Sequence, residues 1–242
     1  MSTVTEIAPD IFRICTYIPQ VDLQFSQFLV RDEEPLLYHT GLPMLLADVR
    51  AVVETMVDPA SLRWIAFSHF EADECGALNQ WLAAAPAAQP ACSANGALVN
   101  VNNVAERPAR GLQDGEIIET GTHRFRFLAT PHLPHGWDAG HLYDETTRTL
   151  LCSDLLHQNG DVEPVTSADV VARMRAMFEA YRGTPFDFYM PWTAQTEGLI
   201  ERLAGLEPVV CAPMHGSAYA GDGGAALREM AVMMREVVGT VA

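Results

Sequence analysis

Residues 68–78 read SHFEADECGAL and overlap the end of a continuous apolar run, WIAFS (64–68). A run of that length and character is a buried strand. Its sudden end in His69, Glu71, Asp73 and Glu74 sets one imidazole and three carboxylates on the loop at the strand tip. In a dry site such groups repel one another. A hydrated loop relieves the repulsion, and so does a divalent or trivalent cation, whose ordinary ligands are carboxylate oxygen and imidazole nitrogen. Alone, the loop fits a solvated acidic turn as well as a metal site. Beyond it, Gly76 to Ala85 reads as a helix closed by Pro86.

Upstream, IFRICTYI (11–18), SQFLVR (26–31) and PLLYHT (35–40) are short strands of a meander. Apolar positions recur at helical spacing from Leu45 to Val57 until Asp58-Pro59 stops them. Downstream, strand patterns return at ACSA (91–94), EIIET (116–120), HRFRFLAT (123–130), AGHLYD (139–144) and RTLLCSD (148–154). The spans 168–181, 193–204 and 225–238 then read as helices, with a strand PVVCAP (208–213) before the last. This order predicts two sheets flanked by helices, in one domain over 1–242 without a linker.

With 49% apolar and 19% charged residues, the chain can bury a large core and is not disordered. Acids outnumber bases 31 to 15, every base is Arg, and the net charge of −16 excludes nucleic acid and anionic membrane surfaces as partners. The start, MSTVTEIAPDIFRIC, has no basic stretch followed by an apolar block, so no secretory signal is expected. Five scattered cysteines without a CxxC spacing read as reduced thiols of a cytoplasmic protein. No GxSxG, P-loop or GxGxxG occurs.

Further metal-ligand residue types sit at other strand ends: His135 in LPHGWD (133–138), Asp154 after LLCS, and His215 after VVCAPM. Four such loops can converge on one face. His132 rivals His135 for its place. His157 either lines the pocket mouth or lies on the surface, His141 is a packed or half-exposed strand residue, and His123 beside Arg124 faces solvent. Cys75 reads as the first residue of a helix, a small buried hydrophobe or else redox-active. The Met- and aromatic-rich stretch 173–192 supplies core or dimer surface, so a homodimer is expected, and its Phe and Tyr residues can wall an apolar gas pocket.

On these motifs the chain resembles the metallo-β-lactamase superfamily and, within it, the di-iron branch of flavodiiron cores and stand-alone oxygen-binding di-iron proteins. The branch carries HxExDH, met here by His69, Glu71 and Asp73, and an HWPDS-like segment approximated by residues 135–139. The steps of 66 residues from His69 to His135, 19 more to Asp154 and 61 more to His215 are similar to those of the branch. The resemblance runs from about residue 6 to 236. It implies an α+β fold, a four-layer αββα sandwich. One metal takes His69, Glu71 and His135, the other takes Asp73, residue 74 and His215, and Asp154 bridges them. Hydrolytic members have His where this chain has Glu71, and a hard anionic donor suits iron or manganese better than zinc. Two irons are therefore expected.

Two positions depart from the branch. Glu74 replaces a histidine, and either ligates or turns away and leaves the second site weak. His39 stands before Thr40-Gly41 where relatives have Asp, and is either an orienting residue or an ordinary strand-end histidine. The resemblance implies binding of O2 or NO at the dinuclear site. Flavodiiron enzymes draw electrons from FMN on a flavodoxin domain, for which a chain stopping at Ala242 has no room, so no flavin is expected. A separate redox or signalling protein then acts with this one, which is a sensor or carrier, or an oxidoreductase reduced by that partner. The alternatives are a dinuclear metallo-hydrolase of esters, thioesters or phosphoesters, and a fold that has lost its metal.

Overall fold

A computed structural model describes residues 1–239. The first sheet holds seven strands in sequence order: β1 (Thr3–Ala8), β2 (Ile11–Ile18), β3 (Leu23–Val30), β4 (Leu36–Tyr38), β5 (Trp64–Ala66), β6 (Gln89–Ser93) and β7 (Arg110–Leu112). β1 to β4 form the antiparallel meander, and β4 to β7 run parallel. The second sheet is built from β8 (Ile117–Glu119), β9 (Arg124–Ala129), β10 (Gly140–Asp144), β11 (Thr149–Ser153), β12 (Val165–Thr166), β13 (Val210–Pro213) and β14 (Ala218–Ala220), in the order β12-β14-β13-β11-β10-β9-β8. The helices are α1 (Leu46–Val53), α2 (Ala72–Cys75), α3 (Leu78–Ala84), α4 (Ala94–Val99), α5 (Val170–Tyr181), α6 (Thr196–Ala204) and α7 (Gly223–Val237).

Three apolar clusters define four layers. Leu37 and Ile65 pack outward with Val49, Val53, Trp81 and Leu82 of α1 and α3. Their neighbours Leu36, Tyr38, Trp64 and Ala66 point inward, against Phe125, Phe127, Leu142 and Leu151 of the second sheet. On the far side, Leu150, Cys152 and Cys211 pack against Met174, Ile200, Leu227 and Met230 of α5 to α7. Strands covered on both faces need apolar side chains of both parities, which is why WIAFS reads as an unbroken run. The molecule is an αββα sandwich.

Capping fixes several helix starts. Asp169 and Asp222 accept from Ala172 N and Ala225 N at the heads of α5 and α7, each at 2.8 Å. Ser93 does the same for Gly96 N at the head of α4, so the strand expected over 91–94 ends at Ser93 and a helix begins there. Two further expectations are corrected. His123 is buried rather than solvent-facing, and Cys75 closes α2 rather than opening a helix. Among the described residues no helix is long and apolar enough to cross a membrane. The loops after β5, β9, β11 and β13 gather at one end of the sandwich, where His69, His135, Asp154 and His215 meet.

Candidate metal centre

His69 Nε2 lies 2.9 Å from His135 Nε2 and 3.1 Å from Glu71 Oε2, and His135 Nε2 lies 2.7 Å from the same Glu71 oxygen. Asp154 Oδ2 stands 3.6 and 3.7 Å from the two imidazole nitrogens. The other oxygen of Asp154, Oδ1, turns to His215 Nε2 at 3.4 Å, and His215 Nε2 is 3.3 Å from Asp73 Oδ2. One carboxylate thus faces two separate groups of donors. Glu71, Asp73 and Glu74 each bring an oxygen within 4.8 Å of the others. Donors sharing a cation at about 2.1 Å and set at right angles are roughly 3 Å apart, which is the spacing seen within the first group.

Two buried carboxylates have oxygens that lack hydrogen-bond donors among the described residues. Glu74 is fully buried, its Oε1 is 3.8 Å from His69 Nε2, and neither of its oxygens has a hydrogen-bond partner among the described residues. Asp154 Oδ1 is orphaned in the same way. An unpaired buried carboxylate costs on the order of several kcal/mol. Burial, then the charges of Asp73 and Asp154, push the Glu74 carboxyl well above its ordinary range, and burial raises Asp154 too. Hydrogen bonds from His135 and His69 hold Glu71 at about 2. Burial works to raise Asp73, but the bond and charge of His215 outweigh it and hold Asp73 low. Burial lowers His135 and His215, and the carboxylates facing them reverse that into a net rise. Cations bound among these oxygens and nitrogens would supply the missing counter-charge, so the residues present fit a metal pair.

Supporting residues aim the imidazoles. His215 Nδ1 donates to the Gln24 carbonyl at 2.8 Å, which leaves Nε2 with its lone pair toward the centre. The ring of His69 meets Ser68 Oγ through Nδ1 at 2.9 Å, and Ser68 Oγ also contacts Ser153 Oγ at 2.8 Å and His39 Nε2 at 3.2 Å. His39, fully buried and at φ +65°, therefore reaches His69 through one hydroxyl. Burial pushes its pKa down to about 3, so it stays neutral. Asp138 Oδ2 accepts from Phe70 N at 3.0 Å and ties the His135 loop to the His69 loop. After His215, Gly216 sits at φ +107°, where a Cβ would meet Gln158 Cβ at 2.6 Å, so only glycine allows that turn.

All seven expected residues, His69, Glu71, Asp73, Glu74, His135, Asp154 and His215, come together. Glu74 points inward rather than away, and the rival His132 is exposed and outside the cluster. A cavity of about 400 Å³ opens over the centre, walled by Leu23, Phe25, Tyr181, Phe186 and Tyr189, with His157 buried in its lining. Phe and Tyr from 173–192 do line a pocket, as expected. The supporting roles of Ser68, Ser153 and Gln24 leave no mark in the sequence pattern. Asp138 carries a local signal, its place three residues after His135.

An αββα sandwich with histidines and carboxylates converging at its strand ends defines a metallo-β-lactamase-like protein. The model of the ODP family beta lactamase matches residues 23–216, and the chain belongs to that family. It is 25% identical over 208 residues to a rubredoxin-oxygen oxidoreductase from Megalodesulfovibrio gigas, covering 81% of this chain and 49% of the relative. The chain thus spans about half the length of the curated relative it matches. A solved rubredoxin oxygen:oxidoreductase from Desulfovibrio gigas superposes with a TM-score of 0.81 at 20% identity, covering 96% of this chain and 62% of that one. A flavodiiron protein from Giardia intestinalis gives 0.80 at 16% identity, covering 97% and 60%. A putative diflavin flavoprotein fragment from Nostoc gives 0.79 at 16% identity, covering 97% and 96%.

Proposed function

We propose that this chain is a non-haem di-iron protein that binds O2 or NO, with one iron held by His69, Glu71 and His135, the other by Asp73, Glu74 and His215, and Asp154 between them. The observation that carries the reading is Asp154, whose two oxygens turn to the two donor groups while its Oδ1 and both oxygens of Glu74 have no hydrogen-bond donor among the described residues. Iron bound there supplies electrons and open coordination positions for a diatomic ligand. The chain's own residues do the rest. Glu71 and Glu74 bring hard anionic donors that favour iron over zinc. Ser68 and the Gln24 carbonyl fix the two imidazoles, and Leu23, Phe25 and Phe186 give the cavity apolar walls suited to a small uncharged gas. The name of the 25% identical relative, a rubredoxin-oxygen oxidoreductase, supports oxygen chemistry and reduction by a separate protein.

Protein purified without added metal tests the reading by elemental analysis, followed by rapid mixing of the reduced form with NO and with O2. Bound iron and a new visible band on mixing are expected. Zinc together with ester hydrolysis would replace this reading with a metallo-hydrolase, and a folded, iron-replete preparation that retains no metal would end both.

A further inference from the structure

The cavity over the centre contains a hydrogen-bonded chain that the ligand set does not use. Tyr189 Oη is 3.0 Å from His157 Nδ1, His157 Nε2 is 3.1 Å from Asn159 Oδ1, and the Tyr181 hydroxyl donates to the same Asn159 oxygen at 3.3 Å. The His157 ring is 2% exposed, lies 4.6 Å from the His215 ring, and stands edge-on to Tyr189 and Tyr181 at 5.4 and 5.9 Å. Tyr189 also leans on His135, with ring centres 5.1 Å apart. Its phenol is therefore beside both the ligand cavity and a metal-facing imidazole.

Which way each proton points follows from the acceptors. An amide oxygen only accepts, so His157 Nε2 carries the ring proton. A neutral imidazole has one such proton, which leaves Nδ1 as an acceptor and Tyr189 as the donor to it. The second donor on Asn159 Oδ1, from Tyr181, holds the amide with its oxygen toward the ring.

We propose that His157 is a positioning residue that accepts the hydrogen bond of the Tyr189 hydroxyl at Nδ1 and so keeps this phenol from donating to a diatomic ligand in the cavity. The inference rests on the di-iron reading of the centre. Its consequence is chemical: a bound ligand that has drawn charge from the metals is steadied by a nearby donor, and here the Tyr189 hydroxyl on the wall is committed elsewhere. The ligand stays releasable, which suits reversible binding.

Two measurements test this. In the metal-free protein, nitrogen NMR of labelled histidine should show His157 protonated at Nε2 and bare at Nδ1; the opposite tautomer overturns the proposal, and this experiment needs no substitution. In the iron-loaded, reduced protein with NO, His157→Phe should free Tyr189, lower the N–O stretching frequency and slow NO release by about 3–10-fold, the worth of one hydrogen bond. His157→Asn, which can still accept at the Nδ1 position, should restore the wild-type frequency. The effect should vanish in a Tyr189→Phe background. A wild-type NO band that His157→Phe leaves unmoved, or moves equally without the tyrosine hydroxyl, overturns the positioning role alone. Wild-type protein that binds no NO overturns the di-iron reading and this inference with it.

Discussion

The β9–β10 hairpin carries histidine and aspartate at both of its ends, and the two ends have opposite hydrogen-bond balances. At the end away from the cavity, Asp144 accepts from His123 Nδ1 at 2.9 Å, from Thr147 Oγ1 at 2.6 Å and from the backbone of Arg124, Thr146 and Thr147. Nearby Asp32 accepts from Thr120 Oγ1 and from the backbone of Glu33, Thr122 and His123, and despite burial these donors hold it at about 2. At the cavity end, four carboxylates face three imidazoles, and Glu74 has no donor among the described residues. The same residue types make a closed structural knot in one place and an incomplete cage in the other. The deficit of positive partners, rather than the count of histidines and acids, is what separates the cage from the knot.

Substitutions separate the two ends. His215→Ala should strip iron from the protein while the chain stays folded, checked by elemental analysis alongside circular dichroism; a variant that keeps both irons would dissolve the contrast. Asp144→Ala should leave metal content unchanged and cost about 3–5 kcal/mol in urea denaturation, as for other broken buried pairs. Glu74→Gln should act in opposite directions with and without metal. It should weaken iron binding by at least about 10–100-fold, the range for residues that merely support a ligand. At neutral pH it should stabilise the metal-free protein, because a carboxyl raised in the folded state opposes folding once pH exceeds its unfolded value. A metal-free Glu74→Gln protein that melts earlier than wild type would count against an orphaned carboxylate.

The knot also has its own pH window. The bond to Asp144 raises the folded pKa of His123, so its stabilisation is complete below the unfolded histidine value of about 6.5 and fades as pH rises through the folded one. Asp144 is lowered: burial opposes this, and the His123 and Thr147 bonds overcome it. Its contribution is present above about 3.9 and is lost as pH falls through the folded pKa. The stability difference between wild type and Asp144→Asn, followed by denaturation at several pH values, should therefore peak between those limits. Smallest of all, His132→Ala should change stability by no more than about 0.5 kcal/mol and leave iron binding intact, since that imidazole is exposed beside the loop that carries His135.

Local pattern made much of the fold legible. WIAFS, IFRICTYI and HRFRFLAT became β5, β2 and β9 because apolar runs and alternation report which faces a strand buries. The neighbour Arg124 suggests a solvent-facing His123, but the histidine shares parity with the inward-facing Phe125 and Phe127 and is buried with them. The link from His157 to Tyr189 had no such signal. The two are 32 residues apart on different loops, and nothing periodic joins them.

Sequence by itself set the four strand tips, the ligand-type side chains they carry and the apolar parities that stack the layers, because those properties repeat over a few residues. Only the tertiary structure decided that His135 turns in and His132 out, that Glu74 faces its neighbours without a donor, and that Asp154 divides its oxygens between two groups. Those outcomes depend on donors and acceptors brought together from opposite sheets, so the packing of the two sheets had to exist before they could be read.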